Sequence, residues 1–145
     1  MLRQATKDDL LLISKIDKSS NQTYWDYLDY VDSFNNENQR IMLYYNKRQL
    51  VGFMVLQIIL DEMEILQLVI SDELQLQGYG SKMFEMLLEY ANSLSIHQIF
   101  LEVRHNNDTA INLYQKYGMT EYAVRKNYYK FAKYKLDAVL MKMEL

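Results

Sequence analysis

Gln75-Leu76-Gln77-Gly78-Tyr79-Gly80 stands where an apolar run, Glu62–Ile70, gives way to a helical pattern that begins near Met83. Glycines at such a junction let consecutive backbone N–H groups point into one hollow. The positive end of the following helix adds to them, so the loop can hold a pyrophosphate without a charged side chain. The pattern is not a Walker motif, because no Gly-Lys-Ser/Thr follows, and it lacks the three-glycine spacing of a dinucleotide fingerprint. A tight turn that merely requires glycine is the competing reading. His97 and His105 are candidate bases by chemistry alone, His97 at the start of a surface strand and His105 in a loop. With no cysteine in the chain there is no thiolate nucleophile, disulfide or thiolate metal site, and two histidines make no zinc centre; no metal is expected.

Those residues need a scaffold, and the hydrophobic periodicity supplies one. Leu2–Ala5 reads as a short strand, and Thr6 caps a helix that runs to about Lys18 with Leu11, Leu12 and Ile16 as its apolar face. A second helix spans about Gln22 to Phe34. Arg40–Tyr45, Leu50–Leu60 and Glu62–Ile70, joined by short polar segments, read as an antiparallel meander. Met83, Phe84, Leu87, Leu88, Ala91 and Leu94 recur at helical spacing after the glycine loop. Ile99–Val103 is a further strand, Asn107–Tyr117 a helix closed by Gly118, and Thr120–Tyr128 and Ala138–Met143 are two final strands. The order β-α-α-β-β-β-α-β-α-β-β is that of an α/β (α+β) fold with helices on a mixed, mostly antiparallel sheet.

The length of 145 residues suits one domain, 1–145, with one hydrophobic core. Half of the residues are hydrophobic and no apolar stretch approaches a membrane span, while the start, MLRQATKDDL, lacks the order of a secretory signal. The expected location is cytoplasmic. The net charge of −3 argues against nucleic acid as a partner. Acidic residues concentrate before Glu102, so this part either faces a basic partner or is an ordinary solvated surface.

Leu101-Glu102-Val103-Arg104 and Asn106-Asn107-Asp108-Thr109-Ala110-Ile111-Asn112-Leu113-Tyr114, continuing to Gly118, complete a pattern that resembles the GCN5-related N-acetyltransferase (GNAT) superfamily. The glycine loop is similar to that family's acetyl-CoA motif, and Asn107 through Gly118 to its cofactor-side helix. Leu60-Asp61-Glu62, Leu101–Arg104 and Arg125-Lys126-Asn127-Tyr128-Tyr129 resemble more narrowly the bacterial ribosomal-protein-alanine N-acetyltransferases of the RimI type. The resemblance runs from about Leu50 to Met143. It implies the GNAT fold, with the fourth and fifth strands parallel and splayed apart. It also implies acetyl-CoA as co-substrate, contacted by Leu68, Val69 and Ile70, by Leu76, Gln77, Gly78, Tyr79, Gly80 and Ser81, and by Asn107.

The same resemblance places the catalytic base on Glu102 and the catalytic acid on Tyr114, with a backbone N–H of the fourth strand for the oxyanion. The chemistry is consistent: an α-ammonium of pKa about 7.7–8.0 yields its proton easily, and a tyrosine donates one without resting charge. Glu102 paired with Arg104 or Arg3, and Tyr114 as a core residue, are the rival readings. The implied acceptor is the N-terminal α-amine of a protein such as a ribosomal protein, with Arg125-Lys126-Asn127-Tyr128-Tyr129-Lys130-Phe131 bordering the groove. A small amine (polyamine, amino sugar or amino acid) is the alternative, and a non-catalytic acyl-CoA-binding regulator a further one. The chain is expected to act as a monomer or weak dimer. It departs from the family pattern at Leu76 and Gln77, where relatives carry arginine, at Met119, where they carry an aromatic residue, and at Tyr24-Trp25, where the subfamily has Pro-Trp.

Overall fold

The computed structural model describes residues 1–131 and 134–145, with the backbone alone at Phe131 and Tyr134; the side chain of Phe131, the last residue of the expected groove border, thus lies outside the description. The strands are β1 (Leu2–Gln4), β2 (Gln39–Asn46), β3 (Gln49–Ile59), β4 (Glu62–Ile70), β5 (Gln98–Arg104), β6 (Thr120–Phe131) and β7 (Tyr134–Glu144). The α-helices are α1 (Leu10–Ser20), α2 (Tyr27–Asn35), α3 (Tyr79–Ser93) and α4 (Asp108–Lys116). Their order along the chain is the one read from the sequence. Among the described residues no helix is long and apolar enough to cross a membrane.

All seven strands join one sheet in the order β1-β2-β3-β4-β5-β7-β6. Hairpin connections make β2, β3 and β4 antiparallel, whereas β4 and β5 are parallel because α3 carries the chain back to the other end of the sheet. Helices cover both faces, and the single core expected from length is in fact two. Leu10, Ile13, Tyr30, Leu43, Phe53 and Val55 pack beneath α1 and α2, and Met54, Leu56, Met83, Phe84, Leu87 and Ile99 pack beneath α3 and α4. A sheet sandwiched between two helical layers must bury both of its faces.

The meander carries a bulge where the site forms. Val55 pairs with Gln67 and Leu56 with Ile65, so Leu66 is an extra residue on β4. The insertion shifts the alternation by one. Met63 and Ile65 face α3 before it, and Leu68 and Ile70 do so after it, while Val69 faces the α1–α2 side. The ladder between β4 and β5 runs from Glu62↔Gln98 to Ile65↔Leu101 and ends at the bulge. Beyond it the two parallel strands diverge, as the resemblance implied.

Two local expectations are corrected. The buried face of α1 is Leu10, Ile13 and Asp17, with Leu11 at 55% and Leu12 at 49% exposure. Four consecutive apolar residues fit more than one helical face, and Arg3 fixes the register by gripping Asp9 with two guanidinium hydrogen bonds of 3.0 and 3.2 Å. The second helix begins five residues later than expected, at Tyr27, because Asp26 caps it and its N–H reaches back to the Asp29 carboxylate at 2.9 Å. Residues 21–26 therefore form a loop.

Candidate active site

The chain leaves β4 through a single turn at Asp72–Leu74 and enters α3 at Gly78, whose φ of +86° lies in the left-handed region that glycine adopts without steric cost. Leu76 also has a positive φ, +62°, and an exposed side chain. Gln75 pins the turn from inside, its side-chain amide donating to the carbonyls of Ile70 at 2.9 Å and Ser20 at 3.3 Å. Gln77 folds back onto the Glu73 carbonyl at 3.2 Å. Within the described residues, no acceptor meets the backbone N–H groups of Leu76, Gln77, Gly78, Tyr79, Gly80 and Ser81; the next one along, Lys82, bonds Gly78. Six consecutive free donors at the N-terminus of a fifteen-residue helix make a cradle for an anion.

The cradle opens into a cleft of about 580 Å³ between the diverging strands. Of the ten positions implied for acetyl-CoA, eight line it: Leu68, Val69 and Ile70 from β4, Leu76, Gly78, Gly80 and Ser81 from the loop and helix start, and Asn107 from the cap of α4. Gln77 and Tyr79 do not line it. Tyr79 turns its ring away, to Tyr44 and Lys82, and its hydroxyl accepts from Asn46 at 3.2 Å, so these two positions offer the cleft only backbone. Asn107 caps α4, its Oδ1 accepting from the Ala110 N–H at 3.2 Å. Lys116 and Arg104 also line the cleft, placing cations where the loop itself has none.

Glu102 and Tyr114 reach the divergence from opposite faces of the sheet. Glu102 stands on the α1–α2 side of β5, opposite Leu140 of β7, with its side chain 21% exposed. Its partner is neither Arg104 nor Arg3: the Arg125 guanidinium lies 3.4 Å from its Oε1, while Arg104 donates to Gln22 at 3.0 Å and Asn106 at 3.1 Å. Tyr114 comes from α4, its ring buried 5.7 Å from that of Phe84, and it lines both the large cleft and a second one of about 390 Å³. Burial holds its phenol proton well above the ordinary range. His97 and His105 are exposed and line neither cleft, and His105 instead accepts from the Asp137 N–H at 3.1 Å.

The second cleft joins Asn21, Thr23 and Glu64, which sequence reasoning missed, to Arg125, Tyr128 and Tyr129, which it expected along a groove. Asn21, Thr23 and Trp25 form one wall, Arg125, Tyr128 and Tyr129 the other, with Glu64 and Glu102 at the floor. Burial first, then the negative charge of Glu102, pushes the Glu64 carboxyl up, against the pull of Arg125. Burial likewise pushes the Tyr129 phenol up to about 12. One signal for Glu64 was available. The alternation Met63, Ile65 changes to Leu66, Leu68, Ile70 within a single run, which marks a bulge and places Glu64 on the face of the open groove.

The sequence pattern of the acetyltransferase (GNAT) family matches residues 7–119. This chain belongs to that family. Among GNAT relatives, the ribosomal protein bS18-alanine N-acetyltransferase of Salmonella typhimurium is 29% identical over 117 residues, covering 77% of each chain. The protein of that name from Escherichia coli is 30% identical over 97 residues, 67% of this chain and 66% of its own. In fold, the chain is similar to the crystal structure of the Escherichia coli ribosomal-protein-S18-alanine N-acetyltransferase, with a TM-score of 0.91 at 24% identity over 99% of this chain and 92% of that one. The GNAT assignment makes this an N-acetyltransferase with acetyl-CoA as co-substrate. The free amides of residues 76–81 fit the pyrophosphate of such a molecule.

Proposed function

We propose that this GNAT enzyme acetylates the N-terminal α-amine of a protein, a ribosomal protein in particular; the names of its relatives give alanine of ribosomal protein bS18 as what they acetylate. The observation that carries the reading is the meeting of two clefts at the divergence of β4 and β5, with Tyr114 lining both and Glu102 at the floor of the second. The larger cleft takes acetyl-CoA, through Leu68–Ile70, residues 76–81 and Asn107, and the smaller takes a peptide. Acetyl-CoA supplies an activated thioester there. Glu102 takes the proton that the attacking amine must lose, directly or through one water. Tyr114 hydrogen-bonds the sulfur as charge develops on it. A free thiol has a pKa of about 8.5 and burial raises the phenol further, so complete transfer runs uphill and the tyrosine acts chiefly by sharing its proton. The chain acts as one domain, in the cytoplasm, as a monomer or weak dimer.

Titration favours an α-amine over a lysine side chain as acceptor. The former loses its proton near pH 8 and the latter near about 10.4, and Glu102 is a carboxylate already beside a cation. Tyr128 and Tyr129 offer hydroxyls and ring faces to a peptide backbone. The test offers the enzyme two matched hexapeptides, one with a free N-terminal alanine, one blocked there and carrying an internal lysine, together with spermidine. Acetylation of the first alone, with KM rising with salt, is expected. Comparable acetylation of the blocked peptide, or preference for spermidine, sinks the reading.

A further inference from the structure

Asp17 is fully buried in the last turn of α1, and among the described residues no cation touches it. Every electrostatic consideration is against it. Burial raises its carboxyl, and the negative end of the helix macrodipole lies beside it. What the carboxyl has instead is three donors, two from the loop at 21–26 and one from α2. The Trp25 N–H in the loop at 21–26 reaches Oδ2 at 2.9 Å, the Tyr30 hydroxyl on α2 reaches the same oxygen at 2.5 Å, and the Asn21 amide reaches Oδ1 at 2.9 Å. Asn21 carries the network onward: its amide also reaches Gln67 Oε1 at 3.0 Å, on the divergent part of β4, and its own Oδ1 accepts from the Thr23 N–H at 3.1 Å. A carboxyl offers acceptors on both oxygens, whereas the amide of an asparagine would turn a donor towards one of these three donors.

Asn21, Thr23, Trp25 and Gln67 all line the smaller cleft. We infer that Asp17 is a positioning residue for the acceptor, a buried carboxyl whose hydrogen bonds hold the loop at 21–26 as the wall against which the acceptor peptide is bound. The inference rests on the reading of that cleft as the acceptor site. Burying a carboxyl without a cation costs stability, and its hydrogen bonds offset that cost only in the one geometry that brings their donors together. The acetyl-CoA loop has its own anchor. Ser20 Oγ accepts from the Asp72 N–H at 3.0 Å and the Ser20 carbonyl accepts from Gln75, so loss of the Asp17 network leaves the cradle at 76–81 in place.

The test compares the wild-type chain with Asp17→Asn and Tyr30→Phe, below the unfolding temperature of each. It reads peptide KM, kcat, the calorimetric Kd for acetyl-CoA and hydrogen exchange of residues 21–26. Peptide KM is expected to rise about tenfold in Asp17→Asn and about threefold in Tyr30→Phe, with kcat and the acetyl-CoA Kd within about twofold of wild type. A peptide KM unchanged in both variants overturns the inference, and so does a parallel rise of KM and Kd, which would report general loosening. Tyr30→Phe keeps the ring and loses only the hydroxyl, so it decides alone if Asp17→Asn does not fold. Should wild type acetylate no peptide, the acceptor reading falls by itself and exchange judges the network: faster exchange at 21–26 supports it and unchanged exchange overturns it.

Discussion

Arg125 Nη2 lies 3.4 Å from Glu102 Oε1, two strands away across the sheet, so the carboxylate assigned the amine's proton is held by a cation before any amine arrives. The same guanidinium lowers the neighbouring Glu64 carboxyl, against the upward push of burial and of Glu102. One cation serves two carboxylates, and its removal should be felt first as a pH dependence.

A carboxyl whose folded-state pKa is raised contributes stability at low pH that is lost as pH rises through that pKa. Arg125→Ala withdraws the one influence that lowers Glu64. The substitution should therefore cost more stability at about pH 7.5 than at about pH 5, read as the difference in urea midpoint from wild type. Equal costs at both would show that Arg125 does not act on the Glu64 carboxyl.

Glu102→Gln keeps the shape and removes the proton acceptor. Turnover should fall by roughly 10²- to 10⁴-fold while acetyl-CoA still binds, the range for loss of a general base. Turnover within about threefold of wild type would take the role away from Glu102.

Tyr114→Phe removes a hydroxyl from a ring that keeps its packing on Phe84. Thermal stability should hold and turnover should drop at least about tenfold, with the acetyl-CoA Kd unaltered. A lowered melting temperature with normal kcat would return Tyr114 to the core.

Gly78→Ala meets no atom within 4 Å of the new Cβ, so its cost is one of backbone angle, not of crowding. At φ +86° a Cβ costs about 1–2 kcal/mol, and relief of that strain rotates the N–H groups out of the cradle. Calorimetry should show acetyl-CoA binding weakened by about tenfold, which is about 1.4 kcal/mol. An unchanged affinity would mean that the pyrophosphate lies elsewhere.

The element order, the glycine loop and the divergence of β4 from β5 were legible because each has a local cause: periodicity, a left-handed residue, a family motif. The buried face of α1 was not, since Leu10-Leu11-Leu12-Ile13 is apolar at every angle and only the distant grip of Arg3 on Asp9 fixes the register. Arg125 as the partner of Glu102 was equally hidden. It lies 23 residues further along the chain, and β7 must insert between β5 and β6 before the two can meet. Asp17 was not singled out because charged residues rarely enter cores, and the donors that permit it come from positions 21, 25 and 30.

The opening between β4 and β5 cannot be zipped shut by a small fluctuation, because it is protected by parity. Leu66 makes the count odd. To bring the far half of β4 into step with Glu102–Arg104, that one residue would have to be absorbed, and absorbing it reverses either the near half or the far half of the strand. In the first case the Glu64 carboxylate is driven in among Leu56, Met83 and Leu87; in the second Leu68 and Ile70 are turned out of that same core. The opening between the two strands is thus kept apart by hydrophobic bookkeeping rather than by a wedge.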